Sequence, residues 1–240
     1  MGELRPKTRE ALLQVWTSTL TGLLNRRGLR SMFMQDVWPI RPEIPRMVGI
    51  AFTMRFIPSR EDKDGPVARG RINIQSQAME TCPPGHVLVV DSRGDARAAS
   101  AGDLYVGRLK ARGCAGIVTD GGLRDTEGIF KTGLPAYHRR AASPPSPIVH
   151  HACDLNLPIG CGGVAVYPDD IVVGDCDGVV VIPPDIVDEV AQEALATTLY
   201  EEFAEEEVAR GRALPGLFPV ADEMAKRDFE AWKKGRTDKR

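Results

Sequence analysis

The spacing of short apolar runs constrains this chain most. His86–Asp91 (HVLVVD), Ala115–Asp120 (AGIVTD), Ile171–Gly174 and Gly178–Ile182 are brief, rich in Val and Ile, and bounded by Gly, Asp or Pro. Runs of that length and composition read as buried strands rather than helices. Between the first two lie Ser92–Ser100, small and polar, and then Asp103–Arg112, a helical stretch that Gly113 closes. Strand, loop, helix and strand in that order make an α/β unit. No run approaches the ~18 apolar residues that a bilayer span requires.

The flanking segments extend this unit. Leu12, Leu13, Val15, Trp16, Leu20, Leu23 and Leu24 recur at helical steps from about Lys7 to Arg27, with Gly28 as a stop and a weak point at Thr17-Ser18-Thr19. Val48–Ile57 reads as a strand, Ser59–Gly65 as a charged solvated loop and Arg71–Glu80 as a helix. Gly133–Tyr137 and Ile159–Tyr167 belong to a strand-rich region with many Gly and Pro turns. A long helix starts near Pro184-Asp185 and ends near Arg210, and the polar stretch after Pro219 also reads as helical. The organisation expected is one α/β domain over residues 1–220, including the N-terminal helix, with a polar helical tail over 221–240. Helical extensions at both ends suit docking on a second copy of the chain.

Composition excludes several functions. Lys and Arg number 31 against 33 Asp and Glu, a formal charge of -2, so no general electrostatic grip on nucleic acid or an anionic membrane is expected. Met1–Glu10 lacks the apolar core of a secretion signal. The five cysteines are scattered, odd in number and without a CxxC pair, which argues against a zinc knuckle or a disulfide framework. A cytoplasmic protein is the expectation.

Chemistry concentrates in Ala101–Glu127. Gly102-Asp103-Leu104-Tyr105 opens a helix directly after a small-residue loop. A helix start offers unpaired N–H groups and a partial positive charge, which suit carboxylates or phosphates. Gly102 lets a ligand approach the backbone. Gly121-Gly122-Leu123-Arg124-Asp125 follows the C-terminal end of a strand, where α/β sheets place ligands. Arg124 can fork onto a carboxylate or enolate oxygen, and Asp125 offers a hard oxygen to a divalent cation such as Mg²⁺. The plainer alternative makes Asp103 an N-cap and Arg124-Asp125 a surface turn. The spacing weighs against it, because the intervening helix and strand can fold back and join the two loops.

Other candidates are weaker. His150-His151 are adjacent, so they point in different directions, and Pro144, Pro145 and Pro147 place them in a loop. His138-Arg139-Arg140 reads as a solvated basic turn. Cys114 and Cys161 read as small hydrophobes. Gly160–Gly163 has no following helix and is no phosphate cradle. The acidic run Glu201, Glu202, Glu205, Glu206 and Glu207 reads as a solvated helix face.

Asp103, twenty intervening residues and Arg124-Asp125 resemble the D-x20-R-D signature of the RraA-like family. That family includes class II 4-hydroxy-4-methyl-2-oxoglutarate aldolases, the ribonuclease E inhibitor RraA, and proteins once mislabelled as menaquinone methyltransferases. Pro83–Asp91, Gly113–Asp125 and Leu157–Pro183 are similar to the family pattern too, so the resemblance covers about residues 45–211. It implies a compact α/β domain related to swivelling β/β/α folds, assembled as homotrimers or homohexamers with sites between subunits. It further implies that Asp125 binds Mg²⁺ or Mn²⁺, that Asp103 holds a metal-bound water, and that Arg124 binds the keto oxygen of a small 2-oxo acid. The N–H groups near Leu104 and Tyr105, beside Gly102, would take the pyruvyl carboxylate. A C-terminal glutamate from an adjacent subunit would contribute, with Glu201 the first match and Glu202 and Glu205 as alternatives. The longer N-terminal segment, the Ser59–Gly65 loop and the His138–Arg140 turn depart from the usual pattern.

The activity implied is a metal-dependent pyruvate lyase, cleaving a 4-hydroxy-2-oxo acid with oxaloacetate decarboxylation as a side activity. Two other expectations stand beside it. One is a non-enzymatic regulator with a ribonuclease partner. The other is a dehydratase or hydratase of a sugar-derived 2-keto acid.

Overall fold

The computed structural model describes residues 4–64 and 74–237. Two short helices open the chain, α1 (Pro6–Leu12) and α2 (Thr17–Arg26). Strands β1 (Trp38–Pro39) and β2 (Met47–Pro58) follow, then a helical turn α3 (Glu61–Asp64) and helix α4 (Ile74–Thr81). The central unit runs β3 (His86–Asp91), β4 (Ala99–Ala101), α5 (Asp103–Ala111), β5 (Gly116–Thr119) and β6 (Gly122–Leu123). It continues through α6 (Thr126–Thr132), β7 (Ala136–His138) and β8 (Arg140–Ala141). Next come β9 (His150–Leu155), β10 (Ile159–Cys161), β11 (Val164–Val166), β12 (Ile171–Gly174) and β13 (Val179–Ile182). Helices α7 (Val187–Ala209) and α8 (Glu223–Thr237) complete the described chain. Among the described residues no helix is long and apolar enough to cross a membrane.

The main sheet has the order β1-β7-β5-β3-β2-β12-β13, with β9 also paired to β2. Its centre, β2-β3-β5-β7, is parallel, while β12, β13 and β9 run antiparallel to their neighbours. Strand periodicity sorts the side chains into two faces. Val48, Ile50, Ile171, Val173, Val180 and Ile182 pack against α1, α2 and α7. Leu88, Val90 and Ile117 pack against α4, α5 and α6. On the opposite face, Val87, Val89, Val118, Val172 and Val181 lie under Ile159, Cys161, Val164 and Val166 of the β10–β11 hairpin. The result is a mixed α/β architecture of helices, main sheet and small β elements.

The N-terminal helical segment is two helices rather than one. Trp16 is extended (φ -86, ψ 149), and the Asp175 carboxylate accepts the Thr17 N–H and hydroxyl at 2.8 Å each. The Arg46 guanidinium stacks 3.9 Å from the Trp16 ring centre and donates to the Leu13 and Val15 carbonyls. Those long-range partners stabilise the break. Leu20, Leu23 and Leu24 are fully buried, each contributing about 2 kcal/mol by burial. The partly exposed Arg27 pairs with Glu189 and Glu193 add at most about 1 kcal/mol apiece. Apolar packing therefore docks α2 on α7, and the ion pairs set its register.

Other differences from the sequence expectations are local. Ser59–Gly65 contains the helical turn α3, with Gly65 outside the described residues, as are Arg71–Asn73 of the expected Arg71–Glu80 helix. His150-His151 begin a strand, because β2 offers β9 a free edge. Gly133 caps α6 in the left-handed region (φ 68), so β7 starts only at Ala136. Helix α8 lies on α7: Phe229 and Trp232 pack with Tyr200 and Phe203, and Ala225 is buried.

Candidate active site

The two signature loops meet. Strands β4 and β6 pair in parallel, Ala99 beside Gly122 and Ala101 beside Leu123, and the Arg124 N–H donates to the Ala101 carbonyl at 3.1 Å. This register places Gly102 directly against Arg124 and Asp125. A Cβ on Gly102 would stand 2.9 Å from Arg124 Nε and 2.9 Å from Asp125 Oδ2. A Cβ on Gly128 in α6 would stand 2.8 Å from Asp103 Oδ2. Gly102, Asp103, Arg124 and Asp125 are thus one cluster. Gly128 is a further member of it, visible only through the packing of α6 on α5.

Gly102 is the N-cap of α5, with extended backbone, and Asp103 is the first helical residue. Asp103 is therefore not the N-cap of the plainer reading. Its Oδ1 accepts the Leu104 N–H at 2.8 Å, which engages one of the first-turn donors. The Asp103 and Tyr105 N–H groups have no partner among the described residues. The Leu104 side chain is 85% exposed, and Tyr105 ties α5 to α4 through its hydroxyl, 3.1 Å from Ser76 Oγ. Asp125 is held in the left-handed region (φ 54) ahead of α6. Its Oδ2 lies 3.2 Å from Arg124 Nε, and both side chains are about half exposed.

Two carboxylates and one guanidinium give the cluster a formal charge of -1. A divalent cation reverses that sign and makes the cluster attractive to a dianionic acid. The donors are hard oxygens on an open surface, and the bare backbone of Gly102 lets the Arg124 and Asp125 side chains lie directly against it. That fits Mg²⁺ or Mn²⁺ bound through one or two carboxylates and otherwise by water and ligand oxygens. Asp125 would hold such a cation directly and Asp103 would orient a water.

A different acidic group, Asp175, Cys176 and Asp177, has its ligand atoms within 4.8 Å of one another. Asp175 is already committed to Thr17 and to the Asp177 N–H, so this group is a cap for α2.

Glu201 lies elsewhere in the same chain. It sits on α7 and accepts the Thr19 hydroxyl at 3.1 Å. Glu202 pairs with Arg236. Neither is joined to Asp103, Arg124 or Asp125 by a hydrogen bond or ion pair among the described residues.

His138 is not part of a solvated turn. It ends β7 at 8% exposure with Nδ1 unpartnered, and burial pulls its imidazole down to about 4. The unfolded chain takes up this proton near the ordinary 6.5, whereas the folded chain resists it until about pH 4. Stability is therefore complete above pH 6.5 and is lost as pH falls toward 4, by up to about 3 kcal/mol. His138→Gln should flatten the decline in urea midpoint between pH 7 and pH 5. An undiminished slope in the variant would assign the decline to other groups. His150 is buried as well and stacks on Phe56 at 4.9 Å, while the half-buried His151 pairs with Asp64.

Residues 17–181 match the family model RraA-like, described as Aldolase/RraA. The chain belongs to the RraA-like family. A protein of Halalkalibacterium halodurans named "Putative 4-hydroxy-4-methyl-2-oxoglutarate aldolase" is 40% identical over 104 residues, which is 42% of this chain and 48% of that protein. Protein DlpA of Legionella pneumophila is 27% identical over 70% of this chain and 26% of its own length. This RraA-like chain spans about half or less of the length of these two curated relatives. Among solved structures, Streptomyces coelicolor RraAS2, described as an unusual member of the RNase ES inhibitor RraA protein family, superposes with a TM-score of 0.74. It is 28% identical, over 85% of this chain and 98% of its own. An uncharacterized protein of Pseudomonas syringae shares the fold, with a TM-score of 0.77 at 22% identity over 90% of this chain and 99% of its own.

Proposed function

We propose that this RraA-like chain is a divalent-metal-dependent pyruvate lyase. Its substrate is a 4-hydroxy-2-oxo acid such as 4-hydroxy-4-methyl-2-oxoglutarate, with oxaloacetate decarboxylation as a side activity. The observation that carries this reading is the contact of Gly102 with both Arg124 and Asp125, which joins a cation, two carboxylates and a helix start in one open cluster. The aldolase name of the Halalkalibacterium relative supports it.

The chemistry follows from these groups. Cleaving the bond beside a pyruvyl unit leaves an enolate, whose charge must be stabilised where it develops. A divalent cation at Asp125 would supply Lewis-acid stabilisation of that charge. Arg124 adds a fixed guanidinium at the keto oxygen. The free first-turn N–H groups of α5 orient the carboxylate. Asp103 would hold the water that takes the proton from the C4 hydroxyl, which becomes a carbonyl as the C3–C4 bond breaks and its electron pair passes to the enolate. Glu201 would enter from an adjacent subunit of a homotrimer or homohexamer, once released from Thr19.

The test is pyruvate release from 4-hydroxy-4-methyl-2-oxoglutarate and from oxaloacetate with Mg²⁺ or Mn²⁺. Release should vanish with EDTA and in Asp125→Ala. Release that survives both removes the metal-dependent reading. A folded, metal-loaded protein without release shifts the assignment to the second reading, a ribonuclease regulator. That reading is favoured by the likeness to RraAS2, and stable capture of a ribonuclease tests it.

A further inference from the structure

Three hydroxyls meet behind the Gly121–Asp125 loop, in a place where the proposed chemistry has no use for them. Ser92 Oγ lies 2.7 Å from Ser100 Oγ and 2.9 Å from Thr119 Oγ1, and Ser100 Oγ lies 3.0 Å from Thr119 Oγ1. All three residues are fully buried. Each hydroxyl has one proton and two acceptor lone pairs, so the triangle closes with every member donating once and accepting once. Thr119 Oγ1 also accepts the Gly121 N–H at 3.0 Å. The triangle fits tightly, because a Cβ on Gly121 would stand 2.5 Å from Ser92 Cβ and 2.8 Å from Ser100 Oγ.

The members come from three segments. Ser92 follows β3, Ser100 lies in β4 just ahead of Gly102-Asp103, and Thr119 ends β5 just ahead of Gly121–Asp125. The backbone around them is tied as well. The Asp120 carboxylate accepts the Ser92 N–H at 2.7 Å, and the Gln75 amide donates to the Ser100 carbonyl at 2.7 Å. Apart from the acceptor lost to the Gly121 N–H, small apolar side chains would fill this volume at little net cost, since buried hydroxyls gain little once their desolvation is counted. Hydrogen bonds supply direction, which apolar contacts do not. A closed polar ring is rigid only while every member is present.

We propose that the Ser92–Ser100–Thr119 triangle is a positioning device that fixes Gly102-Asp103 against Arg124-Asp125 without touching the ligand. The geometric part stands on the distances alone. The kinetic part rests on the lyase reading.

Thr119→Val tests it, since valine keeps the branched shape and removes the oxygen. Amide exchange across Gly121–Asp125 should accelerate by about tenfold or more while the central strands keep their protection. The kcat for pyruvate release should fall roughly 10- to 100-fold with KM little changed. Thr119→Ser, which retains the oxygen, should restore both. If Thr119→Val does not fold, Ser100→Ala removes one oxygen without altering a branch and is read in the same way. Exchange that stays at the wild-type rate in a folded variant overturns the proposal. Faster exchange with unchanged kcat overturns it too, because the triangle then only stabilises the loop. If the wild-type protein releases no pyruvate, the lyase reading fails, and the exchange measurement alone decides the geometric part.

Discussion

Arg124→Ala is expected to lower kcat/KM for pyruvate release by about 10²–10³-fold, the usual cost of losing one preorganised charge-stabilising group. Stability should hardly change. The Arg124–Asp125 contact is half exposed on both sides, and pairs of that kind contribute roughly 0–1 kcal/mol. Activity and stability therefore separate in this variant. Arg124→Lys should recover little, because a lysine ammonium is a point charge and cannot reproduce the planar fork whose Nε faces Gly102 and Asp125. Steady-state rates and a thermal melt on both variants check this. A fall in melting temperature matching the loss of rate would make Arg124 a structural residue.

Gly102→Ala should cost about 10²-fold in kcat/KM, the order that a 1 Å misplacement in a reacting site produces. The backbone at Gly102 (φ -123, ψ -176) is open to any residue, so alanine meets no strain there. Its methyl group meets the Arg124 and Asp125 side chains, and those must give way. The fold tolerates the change: the smaller entropy of the unfolded chain is offset by the poorer capping of α5 by alanine, so stability should shift by less than about 1 kcal/mol. An alanine variant with wild-type kcat/KM would show that the ligand approaches from another side. Direct titration with Mn²⁺ separates displacement of Asp125 from displacement of Arg124.

Legibility differed with the range of the interactions. The span of β3, His86–Asp91, and the start of α5 at Asp103 could be read from local composition. Each depends on neighbours a few residues away. The meeting of Gly102 with Arg124 was expected from the intervening helix and strand, but its closeness depends on the β4–β6 register. Gly128 and the hydroxyl triangle carry no local pattern, for single small residues are common in helices, strands and loops alike and only packing gives them a role. From the sequence His138 reads as part of a solvated turn because Arg139-Arg140 follow it. Strand β7 is buried through His138, with Tyr137 beside it, and the chain reaches water only from Arg139 on. The break between α1 and α2 depends on Asp175 and Arg46, both distant in sequence.

The contact between the first helices and α7 also dictates an order of events during synthesis. The Thr8 hydroxyl donates to Asp188, a partner 180 residues later, and Arg5 pairs with the same carboxylate. Leu12, Leu20, Leu23 and Leu24 bury themselves against β12, β13 and α7. At roughly 5–20 residues per second on the ribosome, α1 and α2 wait on the order of ten seconds or more for their cover to be made. Helices α1 and α2 are made long before the elements that cover them, and their leucine stripe is the surface a nascent chain must keep shielded meanwhile.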